Sequence, residues 1–377
     1  MHLAINASEI GRQRGGNETH LLGLLEGWAE AENRPQVSLI TVTTGAARPW
    51  GADSPWPTIN VGPYRRLPFL LWQQMLALRR LKPDWYLSTY FLPPVLPCRG
   101  AVLVHDVSFL AHPEYFSRAI ALYMRILVGM AVRQAECVMV DSEFTRQEVR
   151  RFYPHVQKPI AVVQCGVGRQ FAPIAPAGAD REILAQHGVC TPYIFAIGNI
   201  HPRKNLGRLL EAYLILRQQG SPLSMVWTGL PRWGSAELLA RARDAGVILT
   251  GFVPQAHLPA FYRQATVFVY PSLYEGFGLP VLESMACGAP VVCSNTTSLP
   301  EVAGAAALLV NPEDSREMAG AIGRLSNDLT LAEGLRRAGL ERVKRFTWTN
   351  VAQRTLAALE EKTQMSDDPG DRPPSAL

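Results

Sequence analysis

Residues 271–293, PSLYEGFGLPVLESMACGAPVVC, are small and apolar over most of their length, yet they carry two carboxylates. VFVYPS predicts a buried strand, Leu279 and Pro280 predict the first turn of a helix, and PVVCSN predicts the next strand. LYEGFG is then a strand-to-helix loop whose glycines let the backbone approach a ligand closely. The stretch therefore predicts one repeat of a parallel sheet, with Glu275 in its loop and Glu283 one turn into its helix.

These two acids need partners, because a buried carboxylate is costly unless it is paired or hydrogen-bonded. The hydroxyl groups of a sugar are suitable partners, since one carboxylate can accept two of them at once. One structural alternative remains open from the residues alone, in which Glu275 caps the helix and Glu283 pairs with an arginine.

Similar strand candidates recur on both sides of this stretch and alternate with helix-like segments. Such alternation predicts parallel sheets covered by helices on both faces. GRQFAPIAPAGAD, at residues 168–180, predicts a linker. The expected fold is α/β, with two Rossmann-like doubly wound domains that face each other across a cleft. We expect domains at residues 1–168 and 169–346, a C-terminal helix at 347–362 that crosses back to the first domain, and a disordered tail at 363–377.

The net charge of +5 is concentrated in the first half of the 377-residue chain. Residues 1–170 contain 18 Lys and Arg against 13 Asp and Glu, whereas the rest of the chain is balanced. An anionic membrane surface or a phosphate-bearing substrate would match this excess, and a solvated excess without a partner is the alternative. Nucleic acid is not expected, because the excess is modest and no nucleic-acid-binding motif is present.

The start of the chain lacks the pattern of a secretory signal, so a cytoplasmic location is expected. The apolar residues 119–132 are interrupted by Arg125 and are shorter than the about 20 residues of a membrane span, which predicts a core helix. Residues 68–82, PFLLWQQMLALRRLK, predict either a peripheral contact with the inner face of the plasma membrane or core leucines with a solvated basic end. The six cysteines contain no CxxC pair and are expected to be buried free thiols.

A second motif, GNIHPRKNLGRLLEAY at residues 198–213, also runs from a strand into a helix. Arg203 and Lys204 stand at the start of that helix, where cations oppose the helix dipole. Adjacent cations at the carboxyl end of a strand suit a diphosphate, whose charge must be neutralised as it leaves. Two exposed basic residues without a ligand are the alternative.

In the first domain, His105 and Asp106 directly follow a strand candidate, and Gly15 and Gly16 precede a helix. A histidine in that place can act as an acid, a base or a hydrogen-bond donor, although a lone histidine is more often structural. The glycine loop resembles a phosphate or sugar loop without GxGxxG spacing. The chain has no DxD pair to bridge a metal to a diphosphate, so neither a metal nor another cofactor is expected.

Together these motifs resemble the retaining GT-B glycosyltransferases of family 4. The resemblance covers most of the chain and is weakest at residues 43–83 and in the tail. It rests mainly on EGFGLPVLE, which places seven residues between the two acids. Further segments similar to the family are ACGAPVV, SLPEVAG, IGNIHPRKN, VHDVSFLAHPE and FTWTNVA.

For the second domain, the resemblance implies a nucleotide-sugar site. Glu283 would hold the ribose hydroxyls, and Arg203 and Lys204 would bind the diphosphate and stabilise it as it leaves. Glu275 would contact the donor sugar. The other donor-binding residues of the loop would be Gly276, Phe277, Gly278 and Leu279.

For the first domain, the resemblance implies the acceptor side of the enzyme. Gly16 would approach the phosphates, and His105 would lie beside the transferred sugar and take part in catalysis together with Glu275, Arg203 and Lys204.

The implied function is retaining transfer of a hexose, with mannose as a family-level preference, from a GDP- or UDP-linked sugar. The acceptor would be a glycan or a lipid-linked glycan in cell-surface polysaccharide biosynthesis. Without an evident nucleophile, the implied mechanism is a metal-independent front-face attack in which the departing diphosphate takes the proton of the acceptor. A sugar-nucleotide epimerase of the same architecture and a non-catalytic two-domain sugar-binding protein are the alternative functions.

Overall fold

The computed structural model describes residues 1–11, 15–43, 55–63, 65, 68–231 and 235–367. The chain divides into two compact units. The first unit combines Met1–Gly166 with the chain from Thr347 onward, and the second is Val167–Phe346. Each unit contains one parallel sheet with helices packed on it, which confirms the predicted α/β class with two Rossmann-like sheets.

The first unit is built on a seven-stranded sheet with the order β3-β2-β1-β4-β5-β6-β7. Its strands are β1 (His2–Asn6), β2 (Gln36–Thr43), β3 (Thr58–Pro63), β4 (Trp85–Thr89), β5 (Arg99–Val104), β6 (Cys137–Val140) and β7 (Ile160–Val162). The interior strands are continuous apolar runs because helices cover both faces of the sheet. The strand order reverses between β1 and β4, which is where ligands bind in sheets of this kind.

In the described part of this unit, five helices connect the strands: α1 (Gly16–Ala29), α2 (Gln74–Leu81), α3 (Ser108–Ala111), α4 (Arg118–Gln134) and α5 (Glu143–Phe152). A π-helical turn, Phe69–Gln73, leads into α2. Leu78 of α2, Val128 of α4 and Val149 of α5 belong to one buried cluster. These three helices therefore pack on the same face of the first sheet.

The C-terminal helix, Trp348–Asp367, packs against α1 in the first unit. The indole Nε1 of Trp28 donates to the carbonyl oxygen of Ala352 at 3.1 Å. Gly23 provides room for the contact, because a Cβ there would lie 2.0 Å from the Trp348 ring.

The C-terminal helix ends later than the sequence suggested. It continues to Asp367, so the predicted helix end at 362 and the predicted disorder at 363–367 are wrong. The segment TQMSD contains no helix breaker, and Pro369 is the first residue that disfavours helix in the residue before it. Thr363 is also held in place, because Trp85 donates from Nε1 to its hydroxyl at 3.2 Å. The rest of the predicted tail, 368–377, lies outside the described residues.

The second unit is built on a six-stranded sheet with the order β10-β9-β8-β11-β12-β13. Its strands are β8 (Tyr193–Ile197), β9 (Ser224–Thr228), β10 (Ile248–Gly251), β11 (Val267–Tyr270), β12 (Val291–Ser294) and β13 (Leu308–Val310). Its helices are α6 (Ala179–Gln186), α7 (Leu206–Gln218), α8 (Ala236–Asp244), α9 (Leu258–Gln264), α10 (Leu279–Ala286), α11 (Leu299–Ala303), α12 (Ser315–Asn327) and α13 (Leu329–Val343). The strand order reverses between β8 and β11.

The helix predicted to lie in the core, at residues 119–132, is α4, and only one of its sides is buried. Val128 and Val132 lie in the core, whereas Leu122 and Ile126 are 58% and 52% exposed. Hydropathy measures how apolar a segment is, and it does not show on how many sides neighbours cover it. None of the helices in the described part of the chain has the length and apolar content needed to cross a membrane.

The prediction for the cysteines is correct in part. All six are free; four of them are buried, whereas Cys98 is half-buried and Cys190 is exposed.

Candidate active site

The loop between β11 and α10 carries the two-glutamate motif at the carboxyl edge of the second sheet. It follows the switch point between β8 and β11. The hydroxyl of Ser298 holds the loop, because it donates to the carbonyl oxygens of Glu275 and Phe277 at 2.9 and 2.8 Å. Gly278 has a φ of +107°, and a Cβ there would come within 2.4 Å of the Leu299 side chain, so the loop requires glycine at this position.

The Glu275 carboxylate is buried among cations. Lys204 Nζ lies 2.5 Å from Oε1 of Glu275, and Arg203 Nη1 lies 3.6 Å from Oε2. Tyr270 donates from its hydroxyl to Oε1 at 3.2 Å. Burial by itself would raise the pKa of Glu275, but the charges of Lys204 and Arg203 outweigh it and lower this pKa to about 2. Glu275 therefore remains ionised at neutral pH, and it does not cap α10, whose N-cap residue is Gly278.

A short turn, Pro202–Lys204, brings the two cations beside this loop. Asn205 ends the turn in the left-handed region, with a φ of +57°, and its Nδ2 donates to the carbonyl oxygen of Pro271 at 3.1 Å. The turn after β8 and the loop after β11 are thereby tied together. The Lys204 side chain is only 12% exposed, so the structure places it against Glu275 and not in solvent.

Glu283 is buried one turn into α10 and has a different environment. The hydroxyl of Tyr262 donates to Oε2 of Glu283 at 2.8 Å. Burial raises the pKa of Glu283 to about 7, and this hydrogen bond offsets only part of the rise. Among the residues that the structure describes, no Lys or Arg forms an ion pair with Glu283, so the structural-arginine alternative is not what is found there. A carboxyl group in this state can gain hydrogen bonds from a ligand that brings hydroxyl donors.

Two tyrosines that the sequence did not single out contact the two acids. Tyr262, on α9, binds Glu283, and Tyr270, at the end of β11, binds Glu275. Phe268 lies between them, with its ring centroid 5.2 Å from that of Tyr262 and 6.0 Å from that of Tyr270. The row of three rings therefore runs from Glu275 and its two cations to the Glu283 carboxyl group, which can accept hydrogen bonds from hydroxyl groups.

The histidine predicted in the first unit lies in a separate polar cluster. His105 follows β5 and Asp141 follows β6, and these strands are parallel neighbours, so both residues lie at the same sheet edge. His105 Nδ1 and Asp141 Oδ2 are hydrogen-bonded at 2.5 Å. Burial would lower the pKa of His105, but the Asp141 carboxylate raises it overall. His105 Nε2 has no hydrogen-bond partner among the described residues, so it can donate to a ligand.

His20 and Cys165 complete this cluster. His20 Nδ1 lies 3.4 Å from Cys165 Sγ and 3.5 Å from Asp141 Oδ1. Burial lowers the pKa of His20 to about 4, so this histidine is neutral at neutral pH. Gly16 lies one helical turn before His20 on α1, and a Cβ at Gly16 would meet nothing within 4 Å. Packing therefore does not demand glycine at this helix start, whose first N–H groups have no partner within the helix.

Among the described residues, one group of side chains could in principle hold a metal ion. It consists of His20, His105 and Asp141, whose ligand atoms lie within 4.8 Å of one another. Two ligands of a tetrahedral zinc ion, each about 2.0 Å from the metal, stand about 3.3 Å apart. The bonded atoms of His105 and Asp141 are closer than this, at 2.5 Å. Their geometry is that of a hydrogen-bonded pair.

Comparison with known families covers both units. Residues 14–171 match the model described as Glycosyltransferase Family 4, and residues 191–328 match the model described as Glycosyl transferases group 1. The two Rossmann-like units are therefore those of a glycosyltransferase. This match disfavours the two alternative functions, a sugar-nucleotide epimerase and a non-catalytic sugar-binding protein. The chain belongs to glycosyltransferase family 4, as its motifs suggested.

Similar proteins include the O-antigen chain mannosyltransferase B of Escherichia coli, 33% identical over 291 residues, which make up 76% of each chain. The serotype-specific mannosyltransferase WbdA of Escherichia coli is 30% identical over 286 residues, 72% of this chain and 35% of that protein, so the chain spans about a third of its length. Sucrose-phosphate synthase from Thermosynechococcus elongatus has a TM-score of 0.76 at 20% identity and covers 97% of this chain and 100% of its own. HepE from Anabaena, in complex with UDP-glucose, has a TM-score of 0.72 at 18% identity and covers 96% and 100%. These two structures share the fold.

Proposed function

We propose that this glycosyltransferase moves a mannosyl residue from a GDP- or UDP-linked donor to a glycan or lipid-linked glycan of a cell-surface polysaccharide. The observation that carries the proposal is the buried Lys204–Glu275 ion pair with Arg203 beside it, at the carboxyl edge of the second sheet. The names of the two mannosyltransferases of Escherichia coli support the sugar, and the O-antigen relative supports the class of acceptor. The UDP-glucose in the Anabaena structure supports a nucleotide-linked donor.

In this proposal the second unit holds the donor. Arg203 and Lys204 neutralise the diphosphate as it leaves, where preorganised charge is most effective. Glu275 fixes Lys204 and accepts a hydroxyl of the donor sugar, and Glu283 accepts the ribose hydroxyls. The loop backbone supplies further donor contacts at Gly276, Phe277, Gly278 and Leu279. In the first unit, Gly16 lets α1 approach a phosphate, and His105 donates from Nε2 to the sugar.

The proposed chemistry is a retaining front-face displacement without a metal. The acceptor hydroxyl oxygen bonds to the anomeric carbon while the bond from that carbon to the diphosphate oxygen breaks, and the hydroxyl proton passes to the departing phosphate. The low pKa of Glu275 supports this route, because a carboxylate held ionised near pH 2 is a weak base. Its position in an ion pair with Lys204 also disfavours a role as nucleophile.

Incubation with a set of sugar nucleotides, each with and without a mannose-terminated glycolipid, tests the function. We expect release of nucleoside diphosphate that depends on both GDP-mannose and acceptor, a product with the anomeric configuration of the donor, and undiminished rates in EDTA. An isomerised donor without glycan product would contradict the transferase reaction. Loss of activity in EDTA and its return with Mg²⁺ would contradict the metal-free mechanism while leaving transfer intact.

Asp141 is proposed to position His105 and to keep it protonated. Asp141→Asn should lower kcat by about tenfold to a hundredfold. It should also move the alkaline limit of the kcat profile to lower pH, because without the carboxylate the pKa of His105 falls and the Nε2 proton is lost earlier. Glu143→Gln, at the start of α5, is the control and should leave the profile unchanged. A uniform loss at every pH would indicate a merely structural role for Asp141.

The lipid-linked acceptor implies that the enzyme works at the cytoplasmic face of the plasma membrane, in peripheral contact with it. The first unit, with its excess of basic residues, is the proposed contact.

A further inference from the structure

Helix α4 exposes a stripe in which cations alternate with aliphatic side chains. Leu122, Ile126 and Met130 are 58%, 52% and 48% exposed. In a helix, positions separated by three, four, seven or eight residues share one face. The arginines of that face, each exposed, are Arg118, Arg125 and Arg133.

The charge of this stripe is uncompensated. No acidic residue occurs in α4, and none of its three arginines forms an ion pair with any described residue. Single exposed aliphatic residues are ordinary on protein surfaces, but a contiguous row of them marks an interaction site. The opposite side of the same helix is fixed in the core through Val128 and Val132, so the stripe cannot turn inward.

A second element of the same face has the same character. The segment Phe69–Leu81 contributes buried Phe69 and Leu78 to the same hydrophobic cluster on the first sheet as α4. Its outer side exposes Leu71, Trp72 and Leu76. Basic residues follow at its end (Arg79, Arg80 and Lys82), and residues 68–82 contain no acid. The core alternative stated for this segment therefore holds for Leu70 and Leu78 but not for Leu71 and Leu76, and the contact with a membrane stays a prediction.

The exposed sides of α4 and Phe69–Leu81 are together called the basic–aliphatic face. Its charge and its apolar side chains indicate the kind of partner that it binds. A second copy of the chain that docked through the same face would bring arginine against arginine, which is unfavourable. A surface that offers phosphates above an apolar layer matches both the cations and the aliphatic residues, and tryptophan favours such an interface. Lys and Arg on a membrane-facing surface each contribute through the negative potential of anionic lipids.

We propose that the basic–aliphatic face binds an anionic lipid bilayer, with the apolar side chains of α4 inserted between headgroups and its arginines on lipid phosphates. The surface then brings the enzyme to a lipid-linked acceptor, and only this consequence rests on the proposed function. Binding to the bilayer itself requires neither donor nor turnover.

Flotation of the full chain with vesicles of phosphatidylglycerol and phosphatidylcholine tests the face. The wild type should float with these vesicles, should float poorly with phosphatidylcholine alone, and should lose binding as salt is added. The triple variant Arg118→Gln/Arg125→Gln/Arg133→Gln should bind about a hundredfold more weakly, at about fivefold for each arginine. Leu122→Ser/Ile126→Ser should weaken binding at all salt concentrations, because it removes the inserted groups.

Matched controls lie on the second unit. Arg181→Gln/Arg241→Gln/Arg243→Gln removes the same charge from exposed positions, and Ile174→Ser/Leu329→Ser removes the same kind of exposed aliphatic residue. Both should bind like the wild type.

Equal losses in the control variants, or no flotation of the wild type, would overturn the proposal. If the wild type formed a dimer in the absence of lipid and the Leu122→Ser/Ile126→Ser variant were monomeric, the face would be assigned to a second copy of the chain. All variants should retain turnover with a water-soluble acceptor, so a failed flotation leaves the glycosyltransferase proposal standing.

Discussion

Lys204→Ala is expected to lower kcat by about 10² to 10³-fold, while the KM for the sugar nucleotide changes much less. The reason is that, in the proposed mechanism, the Lys204 ammonium group faces charge that develops fully only when the diphosphate departs. Arg203→Ala should act in the same direction with a smaller loss, because its side chain is more exposed and stands 3.6 Å from Glu275, against 2.5 Å for Lys204. Steady-state kinetics with varied donor, at saturating acceptor, measures both parameters.

Lys204→Ala also leaves the buried Glu275 carboxylate without its main partner. Removing one member of a buried ion pair typically costs about 3–5 kcal/mol of stability. Lys204→Ala/Glu275→Gln avoids that charge and separates the two effects: the double variant should recover most of the unfolding free energy but not the rate. Arg217→Ala, which removes an exposed cation near the end of α7, is the matched control. Recovery of kcat in the double variant would show that Lys204 acts only by neutralising Glu275.

The sequence was informative about the fold wherever strands are fully covered. Strands that are buried on both faces of a parallel sheet appear in the sequence as continuous apolar runs. Such runs contain the buried residues Val102, Val138 and Val292. β3 is difficult to predict from the sequence, because Thr58–Pro63 is a half-buried edge strand that contains Gly62 and has no such run. For α4 the pattern was misleading, since an apolar helix with one uncovered side looks the same as a fully covered one.

Within the candidate site, the loop residues were predictable and their partners were not. Glu275, Glu283, Arg203 and Lys204 stand out because charge is unusual beside buried strands. Tyr262 and Tyr270 resemble ordinary core aromatics in the sequence, and their hydroxyl contacts arise only when the chain folds. Asp141 carried a usable signal, because it directly follows β6 as His105 directly follows the neighbouring strand β5, and carboxyl ends of adjacent parallel strands meet at one edge.

Glu283→Gln should abolish tight donor binding and at the same time stabilise the free protein. Two hydroxyls bound to a charged acceptor contribute about 1.5–3 kcal/mol each, so we expect the Kd of the sugar nucleotide to rise by at least about a hundredfold near pH 8. Glu301→Gln, at the start of α11, alters a carboxylate in the same unit and serves as the control. Calorimetric titration with the intact sugar nucleotide measures the loss, and an unchanged Kd would remove Glu283 from the site.

The wild-type affinity should depend on pH for the same reason. With a pKa of about 7 in the free protein, Glu283 must lose a proton before it can accept two hydroxyls, so binding should weaken by about tenfold for each pH unit below that value. The intact sugar nucleotide is the right ligand, because a free nucleoside diphosphate has a terminal phosphate that titrates near pH 6. The Gln variant should show no such slope, and an equal slope in the variant would assign the titration to another group.

The stability of the free protein should change in the opposite sense. Because its pKa is raised from 4.5 to about 7, Glu283 contributes stability below about pH 4.5 that is lost as the pH rises through 7. The whole difference is about 3 kcal/mol, so Glu283→Gln should raise the unfolding free energy of the second unit by up to that amount near pH 8 and by little near pH 4. Denaturant unfolding at the two pH values measures it. A carboxylate that destabilises the free protein, and that gains hydrogen bonds only when a ligand supplies hydroxyl donors, is placed for function. If Glu283 were a structural acid, the same substitution would instead lower the stability of the protein.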